Sequence, residues 1–349
     1  MSVVLTRSRV SNALRCYVSY ALNRLGSARF LSPFTFHLSP LFVSVEPAAV
    51  CQLRCPECPV GQRSNSPKDG LTVKRSVSET VRQRSGLMPL EAFRRVLAEC
   101  RDTAWVMQFY FQGEPLLNKD LPQMIKEAHE AGLYTIVSTN AQAMTQDLAQ
   151  ALVASGLDRI IVSMDGLSDE TYNAYRIGGS LEKTKQALRF LRKAKNELSS
   201  SRHHVITSSP IIELQCLRLK TNEHEWAQFK RQYKILGADR LVFKTAQLYD
   251  YTHGHPLMPS DKRYSRYVLG KDGIYHRRPL GKGCWRVWSG AVITTNGEVL
   301  PCCYDKTHAH AYGNIMESSL KDLFGNEKAT AFRKAALNEQ PQICQECWK

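Results

Sequence analysis

Three cysteines, Cys51, Cys55 and Cys58, stand close together in the stretch CQLRCPEC, just after a short apolar run. Three thiolates in one loop can hold three irons of a four-iron cluster and leave the fourth iron without a protein ligand. A structural cluster of that size takes four cysteines. An open position is what separates a catalytic from a structural metal site, and a small molecule with both an amine and a carboxylate could chelate the iron there. The competing readings of the same spacing are a zinc knuckle short of one ligand and three buried thiols. A second set comes late in the chain: Cys284, then Cys302 and Cys303 after AVITTNGEVLP, then Cys344 and Cys347. A single cysteine, another single and a Cys-x-x-Cys pair make a complete tetrathiolate site for zinc or a second four-iron cluster. Adjacent strand residues point to opposite faces, so Cys302 and Cys303 should not both bind one cluster.

Those groups need elements to position them. Apolar or alternating runs at 42–46, 105–112, 134–139, 159–164, 211–218 and 241–246 alternate with helical stretches. The clearest helix is 90–100, with Leu90, Phe93, Val96, Leu97 and Cys100 on one face. Six strand–helix units predict an α/β fold: a parallel sheet wound right-handedly into a partial (β/α)6 TIM-like barrel, open along one side. Period-two alternation collects Ser44 and Glu46, then Gln108, Tyr110 and Gln112, then Ser138 and Asn140. Ser163 and Asp165, Glu213 and Gln215, and Lys244 continue that set. Their strand neighbours are strongly apolar, so these polar faces should line the interior near the C-terminal strand ends, where barrel enzymes place their sites. Cys100 and Cys216 fall on apolar faces and read as core.

The amino-terminal cysteine loop resembles the signature of the radical S-adenosylmethionine (SAM) superfamily. The resemblance implies a 4Fe–4S cluster on Cys51, Cys55 and Cys58, with SAM on the unique iron. It further implies reductive cleavage of SAM to a 5′-deoxyadenosyl radical that takes a hydrogen atom from substrate. Where the family has an aromatic residue before the third cysteine, this chain has Glu57, so no adenine role is carried onto that position. QGEP (Gln112 to Pro115) looks like the family's Gly-Gly-Glu motif and implies Gly113 and Glu114 as binders of SAM's amino group, a carboxylate being suited to an ammonium. STN implies Ser138 and Asn140 at the ribose. VSMDG implies Ser163 near the carboxylate, with Arg176 in YRIGGS as a second carboxylate partner. Asp165 either touches ligand or caps the following DETYNAY. The GEVLPC hairpin, with Asn296-Gly297 as its tight turn, and the final pair resemble the twitch module, a shortened SPASM domain. Its glycine stands five residues before a cysteine, as Gly297 does before Cys302. The implied auxiliary 4Fe–4S cluster is held by Cys284, Cys302, Cys344 and Cys347, with Cys303 the alternative to Cys302.

The remaining sequence bounds the surroundings. The chain has 349 residues, eleven cysteines and a net charge of +15. No run approaches the roughly 18 apolar residues of a membrane span, and no secretory signal is read at the start. Cytoplasmic, reduced thiols are expected, with peripheral membrane contact as an addition. The charge is concentrated early: five arginines precede the first acidic residue, Glu46. No nucleic-acid module accompanies it. Val10, Leu14, Tyr17, Val18, Ala21 and Leu25 have the spacing of one helical face, which either packs on the main domain or rests on a membrane surface. The expected organisation is a basic amphipathic extension (1–40), the barrel (41–250), a linker (251–283) and the auxiliary module (284–349). Residues 62–87 read as a basic lid. Lys244, Tyr110 and His253 are the candidates for substrate chemistry, with Tyr249, Tyr251 and His255 placed where the last strand opens towards the auxiliary module. The resemblance implies oxidation of a small sugar- or cyclitol-like or lipid-linked substrate, with a flavodoxin- or ferredoxin-type electron donor. The alternatives are a peptide-modifying maturase and a non-enzymatic iron–sulfur or zinc redox sensor.

Overall fold

In the computed structural model the described residues are 3–24, 38–64, 86–200, 209–278, 283–345 and 347. Most of the lid segment expected over 62–87 lies outside them, as does Leu25. The six runs of apolar and alternating residues form β1 (Phe42–Val45), β2 (Val106–Phe109), β3 (Tyr134–Thr139), β4 (Arg159–Ser163), β5 (Ile211–Arg218) and β6 (Arg240–Thr245). All five ladders from β1 to β6 are parallel and join strands consecutive in sequence. Helices Leu90–Cys100, Leu121–Glu130, Gln146–Ala154, Leu181–Ser200 and Trp226–Gln232 make the crossovers. The first buries Phe93, Val96, Leu97 and Cys100 as the periodicity requires. Two sharp helix starts come from side-chain caps: Thr145 accepts from Leu148 N–H and Ser168 from Thr171 N–H.

The register settles which strand face looks inward. Val43, Val45, Met107, Phe109, Val137, Ile160, Val162, Ile212, Leu214 and Cys216 belong to the apolar core shared with the helices. Ser44, Gln108, Ser138, Ser163, Glu213, Gln215 and Lys244 alternate with them and face the other side. The interior is therefore polar, as the alternation predicts.

Three further strands extend this sheet beyond β1. They are β9 (Gly290–Ile293), β10 (Glu298–Leu300) and β11 (Gly313–Asn314), giving the order β11-β10-β9-β1-β2-β3-β4-β5-β6. Strand β9 runs parallel to β1 and satisfies what would otherwise be an exposed edge. The hairpin turns at Gly297, whose φ of 83° lies in the left-handed region that glycine adopts freely. The auxiliary module is thus built onto the barrel sheet.

Two expectations change. Residues 251–283 are more than a connection. They hold a short hairpin, β7 (Tyr267–Leu269) with β8 (Tyr275–Arg277). Leu257, Met258 and Tyr267 join an apolar cluster with Leu53 and Cys55. The polar, turn-rich sequence hid this because a few buried residues suffice when each packs against a fixed loop. The amino-terminal helix, Arg7–Arg24, exists as read but is rotated: it buries Arg9, Asn12 and Cys16 and leaves Val10, Leu14 and Tyr17 exposed. The polar side chains win the inner face because each finds backbone partners there.

Candidate active site

The loop carrying Cys51, Cys55 and Cys58 leaves the C-terminal end of β1 and is held by three sets of contacts. Glycine 113 packs its backbone directly under the loop: a Cβ there would lie 2.0 Å from the Ala48 carbonyl oxygen, and Glu114 N–H donates to Val50 O at 2.9 Å. Gly61 plays the same part after the loop, where a Cβ would stand 2.6 Å from Cys55 O. The Glu114 carboxylate is buried and accepts from Thr139 Oγ1 (2.5 Å), Asn140 N–H (2.8 Å) and Leu116 N–H (3.1 Å). Burial pushes its pKa up while those donors oppose the shift. It braces the end of β2 against the end of β3.

Sulfur is supplied with donors. Cys51 Sγ accepts from Leu53 N–H at 3.4 Å and from the Asn140 side-chain amide at 3.3 Å, and Gln52 donates to Asn140 Oδ1 at 3.2 Å. Burial raises the Cys51 thiol to about 12 and Cys55 to about 11, so these groups hold their protons until a metal displaces them. Donors aimed at the sulfur and a half-buried loop fit thiolate ligation. Among the described residues, no three His, Cys, Asp or Glu side chains close tightly enough around one point for a single ion.

Arg176 and Asp165 meet in a buried ion pair at 2.6 Å beside Cys55. Asp165 also accepts from Leu217 N–H at 2.6 Å. Of the two readings of Asp165, cap or ligand contact, the helix cap belongs to Ser168, and Arg176 already has a carboxylate within the protein. Ser138 and Ser163 lie on the interior-facing positions of β3 and β4. Glu57 accepts from Tyr249 N–H at 2.5 Å and stands 3.4 Å from His255 Nε2. That contact ties the loop to the segment after β6, and its only sequence sign is the departure from an aromatic residue. Tyr251, stacked on Tyr267 at 4.1 Å, joins the same side. Tyr251 and His255 pack on the side of the first cysteine loop, whereas Tyr249 meets both parts, through its N–H to Glu57 and through its hydroxyl to Lys306 of the auxiliary module. His253 is exposed and does not enter the interior.

The second cysteine group lies towards the opposite strand ends. Strand β10 runs antiparallel, with Leu300 level with Val292 and hence with Ser44, so Cys302 and Cys303 fall towards the N-terminal ends of the parallel strands. Cys284 precedes β9 on that same side. Burial, together with the neighbouring thiols, raises the pKa of Cys302 and pushes Cys347 up to about 11. Between the two groups stand Tyr110, Arg159, Glu213, Lys244 and Arg286. Glu213 is buried, 3.7 Å from Arg159 and 3.5 Å from Arg240. Burial raises the Tyr110 phenol to about 12. Burial lowers the Lys244 pKa; Glu213 opposes this, and Arg159 and Arg286 reinforce it. Lys244 and Arg286 are solvent-accessible.

The loop after Cys303 crosses the open side of the barrel, which sequence reasoning did not anticipate. Gln112 donates to Lys306 O at 2.9 Å, while Lys306 Nζ reaches Tyr249 Oη at 2.7 Å and Gln247 at 3.1 Å. Arg266 joins Tyr304 Oη at 3.1 Å to the Thr245 carbonyl at 2.9 Å.

Two family models match: the radical SAM superfamily over residues 45–211, and SPASM, an iron–sulfur cluster-binding domain, over 284–348. Among curated proteins the chain is similar to the tungsten-containing aldehyde ferredoxin oxidoreductase cofactor-modifying protein of Pyrococcus furiosus. The two are 24% identical over 293 residues, covering 75% of this chain and 79% of that one. Solved structures of like fold include BtrN in complex with AdoMet and 2-DOIA (TM-score 0.50, 19% identity, 89% of this chain and 93% of that one). Another is anSMEcpe with bound AdoMet (0.57, 18%, 88% and 87%). A third is SuiB of Streptococcus suis (0.61, 13%, 86% and 72%).

Proposed function

Because the chain belongs to the radical SAM superfamily and carries a SPASM-type iron–sulfur domain, we propose that it oxidises a small, hydroxylated, anionic substrate held inside the barrel between two clusters. The supporting observation is the interior charge. Arg159 and Arg240 flank the buried Glu213 carboxylate at 3.7 and 3.5 Å, and Arg286 stands near Lys244 and Tyr110, an excess of cations that favours a phosphate- or carboxylate-bearing ligand. A lipid-linked substrate with such a headgroup meets the same chemistry.

On this reading Cys51, Cys55 and Cys58 hold the SAM-binding cluster and Cys284, Cys302, Cys344 and Cys347 the auxiliary one. Cys302 is preferred to Cys303 on its spacing of five residues from Gly297; Cys303, which neighbours Cys347 as well as Tyr110 and Lys244, is the alternative. When bound, the first cluster and SAM supply a 5′-deoxyadenosyl radical and the second cluster an electron acceptor, with a flavodoxin- or ferredoxin-type donor as the external reductant. Gly113 and Glu114 shape the amino-group pocket, and Asn140 and Ser138 reach the ribose side. Ser163, with Arg176 behind it, serves the carboxylate side. Lys244, whose pKa burial lowers, accepts the hydroxyl proton released on oxidation as a neutral amine, and the interior arginines neutralise the substrate anion. Tyr110 keeps its own proton at working pH and acts as a donor.

The test is anaerobic reconstitution with SAM and a reductant, followed by assay for 5′-deoxyadenosine. About eight irons per chain are expected from two cubanes. Sugar phosphates and sugar acids deuterated at the carbinol carbon should pass the deuterium to 5′-deoxyadenosine and lose about three mass units (about two when unlabelled), the signature of oxidation at that carbon. SAM cleavage without label from any anionic polyol, together with label from a peptide, would replace this reading with a peptide-modifying one. That second reading draws on the likeness to SuiB bound to precursor peptide SuiA.

A further inference from the structure

The amino-terminal helix, Arg7–Arg24, is fastened by polar groups and turns its apolar stripe outward. Arg9 is buried and its guanidinium donates to four backbone carbonyls: Val4 at 2.6 Å and Gly132, Arg101 and Ala131 at 2.7 Å each. Asn12 exchanges two hydrogen bonds with Ser39, at 2.9 and 3.1 Å. Tyr20 packs edge-on against Trp285 and Trp288. These contacts fix the helix's rotation, and its opposite face is the apolar one. Leu14 is 62% exposed, Tyr17 61% and Val10 50%, with Leu5 at 63% just before the first turn. Their spacing of three and four residues makes one stripe. Exposed Arg7 and Arg24 stand at its two ends. No acidic residue occurs before Glu46.

We propose that this stripe is the docking face for an anionic membrane surface, on which the helix lies parallel to the bilayer plane. An exposed contiguous apolar face on a monomer marks an interaction site. Leucine, valine and tyrosine on one side with arginines at the rim, and no carboxylate, is the chemistry of an interfacial helix. The 18-residue helix offers a contact about 27 Å long. Among the described residues no helix is long and apolar enough to cross a membrane, so the contact is peripheral. A second copy of the chain is a poorer occupant, because two molecules of charge +15 repel. The inference stands apart from the substrate proposed above, since the helix contributes no side chain to the barrel interior.

The experiment uses the full chain, reconstituted with iron and sulfide, in flotation with vesicles of phosphatidylcholine and phosphatidylglycerol, and with phosphatidylcholine alone. Binding is expected to the anionic vesicles only, weakening as salt is raised. The double substitution Val10→Glu, Leu14→Glu should lower the vesicle partition coefficient at least about tenfold, with iron content and SAM cleavage unchanged; Tyr17 is left in place because its ring also packs edge-on against Trp285. Arg7→Glu with Arg24→Glu should weaken binding while keeping the apolar stripe. The proposal fails if the chain does not float with anionic vesicles, if neutral vesicles capture it equally, or if the Val10/Leu14 variant still floats. It fails equally if the chain is a dimer that this variant turns into a monomer.

Discussion

At the scale of single residues, the proposed function divides the cysteines into ligands and neighbours, and that proposed division can be measured. Cys302→Ser should lose the auxiliary iron, about four per chain, while Cys303→Ser should keep it; iron and acid-labile sulfide on anaerobically purified protein give the answer. The opposite pattern would make Cys303 the ligand. A second pair separates the clusters by function. Cys55→Ala should abolish SAM cleavage, because its sulfur lies in the loop that Gly113 and Asn140 hold. Cys344→Ala should leave cleavage in place and stop product formation. Equal loss of 5′-deoxyadenosine in both variants, with circular dichroism unchanged, would contradict that assignment. The same scale shows where side chains found partners other than those expected. Arg176 is occupied by Asp165 at 2.6 Å and His253 is exposed.

At the scale of elements, the cysteine loop is positioned by backbone packing more than by side chains. Gly113→Ala would set a methyl 2.0 Å from Ala48 O, so the end of β2 must move away from the loop. A loss of about 1–3 kcal/mol or more is expected. Iron bound at the first site should fall further than the melting temperature does, as metal titration beside thermal unfolding would show. If Gly113→Ala loads iron normally, the loop is more compliant than this packing implies. Strand β9 answers a different need: it covers the edge of β1 and so fixes the auxiliary cysteines relative to the first loop. The loop through Tyr304 and Lys306 then spans the gap left by a six-stranded barrel.

Across the whole molecule, the helix at the amino terminus is stapled to three separate parts of the chain through one guanidinium. Arg9→Met should leave four partly buried carbonyls without that donor and cost about 1–3 kcal/mol, read as a lower denaturation midpoint in urea. SAM cleavage in the folded fraction should persist, because Arg9 lies behind the barrel. A midpoint unchanged within error would mean that water replaces the guanidinium. At this scale the molecule has a chemical axis: thiolates at one end of the strands, thiolates towards the other, and a cationic interior between.

Much of this was legible in the chain itself because it depends on local order. Cys51, Cys55 and Cys58 owe their grouping to spacing along one loop, the six parallel strands to period-two and 3.6-residue repetition, and the polar interior to the alternation of Ser44, Gln108, Glu213 and Lys244 with apolar neighbours. Tertiary structure decided whatever depends on partners distant in sequence. The rotation of the first helix was set by carbonyls more than ninety residues away from Arg9. The pairing of Arg176, the docking of Glu57 on Tyr249 and the extension of the sheet through β9 are likewise long-range contacts. Periodicity reports which face is apolar, but only packing determines which face is buried.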